Sequence, residues 1–287
     1  MKKINPEKVI KFLDANKDGK ISKKEAEKSK KLLASFNYLD TNKDGFLTLN
    51  ELKSNNSSNR YSYLESDGIF MYFETEEKEL YRKLLPKQFD MPERLLVHTF
   101  ICDFFKMDEH TQPYKEASIF LLAKYNEKEI WHCIYMPVTS LESMILGKNR
   151  LGLPKTMGEI EINRSEPEYK ASVTDHNNCK ISLTINTKNH AFNQDEIKVL
   201  KELSVLPKMN ILNNQIIEMS GGRKENVFDL AKKYPSKIII KSGLGSLDFN
   251  NYNLKGNKQE SPLSLKPSKI LGAYYMLNKF PFKLSKK

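Results

Sequence analysis

The sequence predicts an α+β chain in two parts: a small all-α lobe built on paired cation-binding loops, then a mostly antiparallel β-barrel with flanking helices. Three observations carry this. Two twelve-residue stretches, 14–25 (DANKDGKISKKE) and 40–51 (DTNKDGFLTLNE), repeat one spacing of acidic, amide and hydroxyl residues around a glycine. A polar Ser/Asn-rich stretch, 52–59 (LKSNNSSN), then reads as a linker by composition. Beyond it come many β-prone segments of similar length with few helices, which favours a closed sheet or a sandwich. The predicted boundaries are 1–53 for the lobe, 54–62 for the linker and 63–287 for the barrel domain.

The lobe is read from what a hard cation needs. Calcium takes about six to eight oxygens, so carboxylates and carbonyls must converge on one point. In the first loop Asp14, Asn16 and Asp18 offer side-chain oxygens, Lys20 its backbone carbonyl, Ser22 a direct or water-mediated ligand, and Glu25 a bidentate carboxylate. Asp40, Asn42, Asp44, Phe46 (through its carbonyl), Thr48 and Glu51 repeat the set. This is the EF-hand pattern, and it predicts two calcium sites. Gly19 and Gly45 fall where the loop turns with positive φ. Ile21 and Leu47 take the apolar position that joins the two loops by a short β-bridge. The segment between the loops, 26–39, is short, so its helices must be short too. Lysines outnumber acids in the lobe, which points to moderate calcium affinity, and Met1 is the only methionine before Met71, which argues against a methionine-lined sensor groove.

Composition narrows the rest. With 287 residues, the chain has room for a sizeable second core. The net charge of +11 invites a nucleic-acid reading, but the lysines are spread along the whole chain with no arginine-rich stripe and no nucleic-acid module, so a solvated basic surface is expected and no nucleic-acid partner. Cys102, Cys133 and Cys179 form no disulfide framework and no zinc motif. No segment approaches the ~18 apolar residues of a membrane span, and a cytoplasmic protein is expected.

Strand candidates are 69–74, 95–105, 116–125, 129–135, 158–163, 169–174, 180–186, 210–218 and 237–240; helix candidates are 76–85, 140–147, 194–202 and 226–233. There is no GxxxxGK[ST] loop, so no nucleotide or other organic cofactor is expected. The glycines of 242–247 (SGLGSL) read as turns between strands, and 221–223 (Gly221, Gly222, Arg223) as a loop tip. His98 and His132 read as satisfied core histidines.

One segment stands apart: 147–158, GKNRLGLPKTMG. A helix ends near Gly147, a glycine-containing turn follows, and Pro154 fixes the backbone just before Lys155 at the start of a strand. Amid Leu151, Leu153 and Met157 this lysine is placed to face inward, where desolvation favours the neutral amine that attacks carbonyls. Some forty residues earlier, Pro113-Tyr114-Lys115-Glu116 opens a strand with a carboxylate at its mouth. A lysine and a glutamate entering a barrel on neighbouring strands make a Schiff-base site with an acid/base partner, with Tyr114 and Leu153 as candidate substrate-binding residues.

This arrangement resembles the acetoacetate decarboxylase family over most of 63–287. The resemblance rests on the strand–helix–Leu-Pro opening (70–86), the PYKE strand start and the helix leading to G-x-x-x-x-G-x-P-K. It continues through S-G-x-G-S-L, Ser261-Pro262-Leu263 and Ile270-Leu271-Gly272-Ala273 with an apolar C-terminal strand. It implies a cone-shaped, mostly antiparallel barrel with a buried pocket, commonly in a homo-oligomer, with Lys155 as the Schiff-base lysine and Glu116 as the pocket glutamate. Two positions depart. The family's second lysine is Thr156 here, and where its substrate-carboxylate arginine would stand the sequence reads Glu65-Ser66-Asp67, with Arg60 nearest. Both departures argue against efficient decarboxylation of a β-keto acid. Three readings follow: imine chemistry on a neutral or bulky carbonyl compound, a non-catalytic barrel holding a hydrophobic small molecule, and a calcium-dependent interaction or assembly protein.

Overall fold

The computed structural model describes residues 6–34, 36–40, 42–52, 61–108, 112–220, 225–250 and 262–286. Residues 53–60, which hold most of the expected linker (54–62) and Arg60, lie outside the described residues, as do the expected loop tip 221–223 and Ser261. The chain divides into two compact units, Met1–Tyr61 and Ser62–Lys287.

The first unit holds α1 (Pro6–Leu13), β1 (Lys20–Ser22), α2 (Lys23–Ala26), α3 (Lys30–Ala34), α4 (Phe36–Leu39) and β2 (Phe46–Thr48). The helices between the loops are single turns, as the short spacing requires. β1 and β2 pair antiparallel with Ile21 opposite Leu47, and both side chains are wholly buried. Around them close Leu13, Ala26, Phe36, Leu39 and Leu52. This apolar nucleus fixes the two loops back to back.

The second unit is a closed, mostly antiparallel barrel with flanking helices. Its elements are β3 (Tyr61–Glu74), α5 (Lys78–Leu84), β4 (Leu96–Met107), β5 (Tyr114–Tyr125), β6 (Lys128–Val138), α6 (Leu141–Leu151), β7 (Lys155–Asn163), β8 (Glu168–Asp175), β9 (Lys180–Asn186), α7 (Gln194–Ser204), β10 (Lys208–Leu212), β11 (Gln215–Ser220), α8 (Val227–Lys233), β12 (Ile238–Asn250), β13 (Lys269–Asn278) and β14 (Phe282–Lys286). Pairings β3–β4 and β6–β10 close the sheet twice. One ring runs β3-β4-β5-β6-β7-β8-β9-β12-β13; a second runs β3-β4-β5-β6-β10-β11-β14. Strands β3 to β6 belong to both.

Because side chains alternate across a strand, each shared strand serves two interiors. Ile69, Met71 and Phe73 of β3, Val97 and Ile101 of β4, and Ala117, Ile119 and Leu121 of β5 meet Val173, Ile181 and Leu183 in one hydrophobic core, that of the first ring. The intervening residues face the second ring. There Tyr63 stacks on Phe282 of β14, with ring centroids 4.6 Å apart, and packs against Phe104. Strands lined on both faces read as near-continuous apolar runs, and β5 is buried from Glu116 to Ala123 without a break.

Three details differ from the sequence expectations. The 210–218 segment is two strands joined at Asn213 and Asn214, both with positive φ (52° and 61°), the conformation a tight hairpin turn demands. SGLGSL is not a set of turns; it lies inside β12, where a β-carbon on Gly245 would meet Ala273 Cβ at 2.5 Å and one on Gly243 would meet Asn186 O at 2.9 Å. The absent side chains let neighbouring strands approach. Finally, α6 does not stop at Gly147 but runs to Leu151, ending at Gly152 in the left-handed region (φ 61°), against Ile211 O.

Candidate active site and cation-binding loops

Strand β6, helix α6 and strand β7 form one crossover unit, with β6 and β7 parallel and Lys155 opposite Met136. Ser140 caps α6 by accepting the Ser143 N–H, and basic residues Lys148 and Arg150 occupy its last turn. Gly152 ends the helix, and the buried Leu153 holds the next turn through Lys155 N–H to Leu153 O at 2.8 Å. Lys155 is thereby delivered as the first residue of β7, on the face of Met136 that looks into the second ring.

Its amine is fully enclosed. Lys155 is 2% exposed and Glu116 6%. Lys155 Nζ lies 2.6 Å from Glu116 Oε2 and donates to Ser143 Oγ at 2.8 Å. Tyr114 donates its hydroxyl to Glu116 Oε2 at 3.3 Å, places its ring 5.1 Å from Lys155 Nζ, and shares a 3.1 Å hydrogen bond with Tyr63. Burial, then the Glu116 charge, pushes both tyrosine pKa values far up, so the hydroxyls stay protonated. Gly147 makes room for the lysine: a β-carbon there would stand 2.5 Å from Lys155 Cδ and 2.7 Å from Cε.

The structure brings Lys155, Glu116 and Tyr114 together, but not from neighbouring strands: β6 lies between β7 and β5, and the long lysine stem reaches past it; Leu153 lies beside them in the chain. It adds Ser143 and Tyr63, for which the sequence holds no motif. Thr156, the next residue on β7, keeps a buried Oγ1 without a hydrogen-bond partner. The acidic stretch 65–67 is also explained. Asp67 is buried and binds Arg164 through Nε and, at 2.7 Å, through NH2, while the same NH2 reaches Asp103 at 2.8 Å. Tyr275 donates to Asp67 at 2.8 Å. Arg164 therefore serves two aspartates on the first-ring side, instead of presenting a guanidinium beside Lys155.

A family model, Acetoacetate decarboxylase (ADC), matches residues 51–286. The chain belongs to the acetoacetate decarboxylase family. Among solved structures, this family member's barrel superposes on the acetoacetate decarboxylase of Legionella pneumophila with a TM-score of 0.56 at 15% identity, covering 78% of this chain and 84% of that one. A second acetoacetate decarboxylase gives 0.58 at 13% identity, covering 79% and 86%. The enduracididine biosynthesis enzyme MppR, complexed with pyruvate, gives 0.53 at 13% identity, covering 79% and 88%. No curated protein sequence matches the chain. Such identities establish a shared fold.

The EF-hand model matches 7–25 and 33–54. Each loop folds as a cation site requires. Asp14 Oδ2 accepts the Gly19 N–H at 2.9 Å, Asn16 Oδ1 accepts that of Asp18 at 3.1 Å, and Glu25 reaches back to the Ala15 N–H, next to Asp14, at 2.8 Å. Asp40, Asn42 and Asp44 repeat the first two contacts, and Glu51 caps its helical turn through Thr48 as Glu25 does through Ser22. Gly19 and Gly45 take φ of 81° and 84°. Among the described residues no three His, Cys, Asp or Glu side chains are gathered as a metal cluster. An EF-hand takes much of its shell from amide, hydroxyl and carbonyl oxygens, so this donor set fits calcium without one.

His132 behaves as the expected satisfied histidine, its Nδ1 3.0 Å from Met209 O. His98 does not: it is 5% exposed and neither ring nitrogen has a partner. The three cysteines are free and buried. No described helix is long and apolar enough to cross a membrane.

Proposed function

We propose that the chain is a calcium-binding protein whose barrel forms an imine between Lys155 and a carbonyl or keto-acid substrate. The observation that carries this reading is the buried Lys155–Glu116 contact at 2.6 Å, flanked by Tyr114 and Ser143. Glu116 Oε2 is placed to take a proton from Nζ, freeing the lone pair for attack on a carbonyl carbon. The same carboxyl then returns the proton to the carbinolamine hydroxyl, which leaves as water as the C=N bond forms. Tyr114 and Ser143 hold the pair in register. With Thr156 next in sequence and Arg164 committed to Asp67 and Asp103, decarboxylation of acetoacetate is not the reaction favoured; an aldol, dehydration or hydrolytic step on the imine suits these side chains better.

Borohydride trapping tests this. Folded protein is incubated with a panel of aldehydes and ketones, reduced, and mapped by mass spectrometry. The reading expects a secondary-amine adduct on Lys155 that is lost in Glu116→Gln. If Lys155 stays unmodified across the panel, the barrel is a binding module and the imine reading fails.

A further inference from the structure

On the second-ring face of β4 and β5, leading away from Lys155, lies a row of polar atoms that no group among the described residues satisfies. Ser118 Oγ, both nitrogens of His98 and Asn210 Nδ2 are buried without a hydrogen-bond partner. Ser118 and Asn210 are wholly enclosed and His98 nearly so. Buried polar groups are almost always paired, and leaving several unpaired on one face is costly unless something else fills the role.

Their positions follow from register. Cys102 of β4 stands opposite Glu116, Phe100 opposite Ser118 and His98 opposite Phe120. Four residues of strand separate the Glu116 level from the His98 level, about 13 Å, with Ser118 roughly midway. His98 sits in an aromatic box: Tyr72 stacks on it at 4.2 Å, and Trp131 and Phe120 lie 5.7 Å and 5.9 Å away. Lys208 of β10 pairs in the ladder with that same Trp131, and Asn210, two residues on and so on the same face, accepts the Cys133 N–H at 3.3 Å. Met209 and Ile211 between and beside them pack into the first-ring core instead. Burial lowers the pKa of Lys208, and no carboxylate among the described residues neutralises it. Burial, then Lys208, keeps His98 neutral, so it offers one N–H and one lone pair. The patch is rich in donors, cationic and aromatic-walled.

We propose that His98, Asn210 and Lys208 bind the carboxylate end of an elongated substrate whose carbonyl, at the other end, meets Lys155. This rests on the reading of Lys155 as the reacting amine. The substrate class is an oxo acid with carbonyl and carboxylate at opposite ends of an apolar body. In a β-keto acid a single carbon separates the two groups, which could not span both sites. Ser118 stands between the two levels on the same strand face.

Two measurements separate this inference from the imine reading. Octanoate, which has no carbonyl, is titrated calorimetrically against wild type, Lys208→Met and His98→Phe, each first shown to be folded by circular dichroism and melting. Octanoate should bind wild type and lose tenfold or more in Lys208→Met, with a smaller loss in His98→Phe, whereas octanamide should not distinguish wild type from Lys208→Met. Separately, 8-oxooctanoate should be trapped on Lys155 at lower concentration than octanal, an advantage that disappears in Lys208→Met. If octanoate fails to bind, or binds Lys208→Met as well as wild type, the carboxylate site is refuted. If octanoate binding depends on Lys208 but no aldehyde is trapped, the site stands and the imine reading falls.

Discussion

Substituting Gly147 by alanine separates helix propensity from pocket fit. In an exposed helix interior the change would stabilise by about 0.5–1 kcal/mol. In α6 the new methyl meets the Lys155 stem at 2.5 Å, about 1 Å closer than ordinary contact. The stem cannot simply swing aside, because Nζ is fixed at 2.6 Å from Glu116 and 2.8 Å from Ser143. Overpacking of this kind costs about 1–3 kcal/mol, so urea unfolding should show a net loss of roughly 0–2.5 kcal/mol. The effect on reactivity is larger, since a misplacement of about 1 Å costs on the order of 100-fold. Borohydride trapping at Lys155 should therefore slow by tens- to a hundred-fold, while Lys148→Ala, at the next and exposed position, leaves it unchanged. A Gly147→Ala protein that is more stable than wild type and is trapped as fast would refute the role assigned to this glycine.

Three other outcomes are expected. Lys155→Met should cost about 3–5 kcal/mol by stranding Glu116 in the interior, whereas Lys155→Met with Glu116→Leu should recover most of it, measured by urea melts as a double-mutant cycle. For pH, burial holds the His98 pKa well below its usual value of 6.5, so His98 stabilises the fold fully above that pH. As pH falls below it the unfolded chain binds a proton the folded one refuses. Stability should then drop by up to about 1.4 kcal/mol per pH unit from this residue, and His98→Phe should flatten that part of the profile. For the lobe, calcium at 100 times its dissociation constant should add about 2.7 kcal/mol to whatever unit it binds. Calorimetry should show a calcium-dependent transition that Glu25→Gln with Glu51→Gln abolishes, and an unshifted barrel transition would show that the lobe does not regulate it.

Much of this architecture is legible locally. The two loops carry their ligands, turn glycines and pairing residues within twelve positions each, and Ile21 and Leu47 meet as the spacing implies. Lys155 and Glu116 are marked by the prolines that set their strand starts, and the family resemblance brings them together. What hides is non-local. Strand order, and with it the second closure through β6–β10, depends on contacts between segments far apart in sequence. Gly147 looked like a helix end because its real partner, the Lys155 stem, lies outside its own helix. SGLGSL looked like turns because glycine signals both flexibility and close packing. His98 and Asn210 carried no motif, and only their missing partners reveal them.

The four strands shared by both rings carry two separate duties on alternate residues. Odd positions of β5 pack one hydrophobic core, and even positions line the compartment of Lys155. A sequence can therefore drift at 98, 100, 118 and 120, changing what the compartment accepts, while the residues between them keep the other core intact. In such a scaffold, new substrate preference and retained stability are written on opposite faces of the same four ribbons.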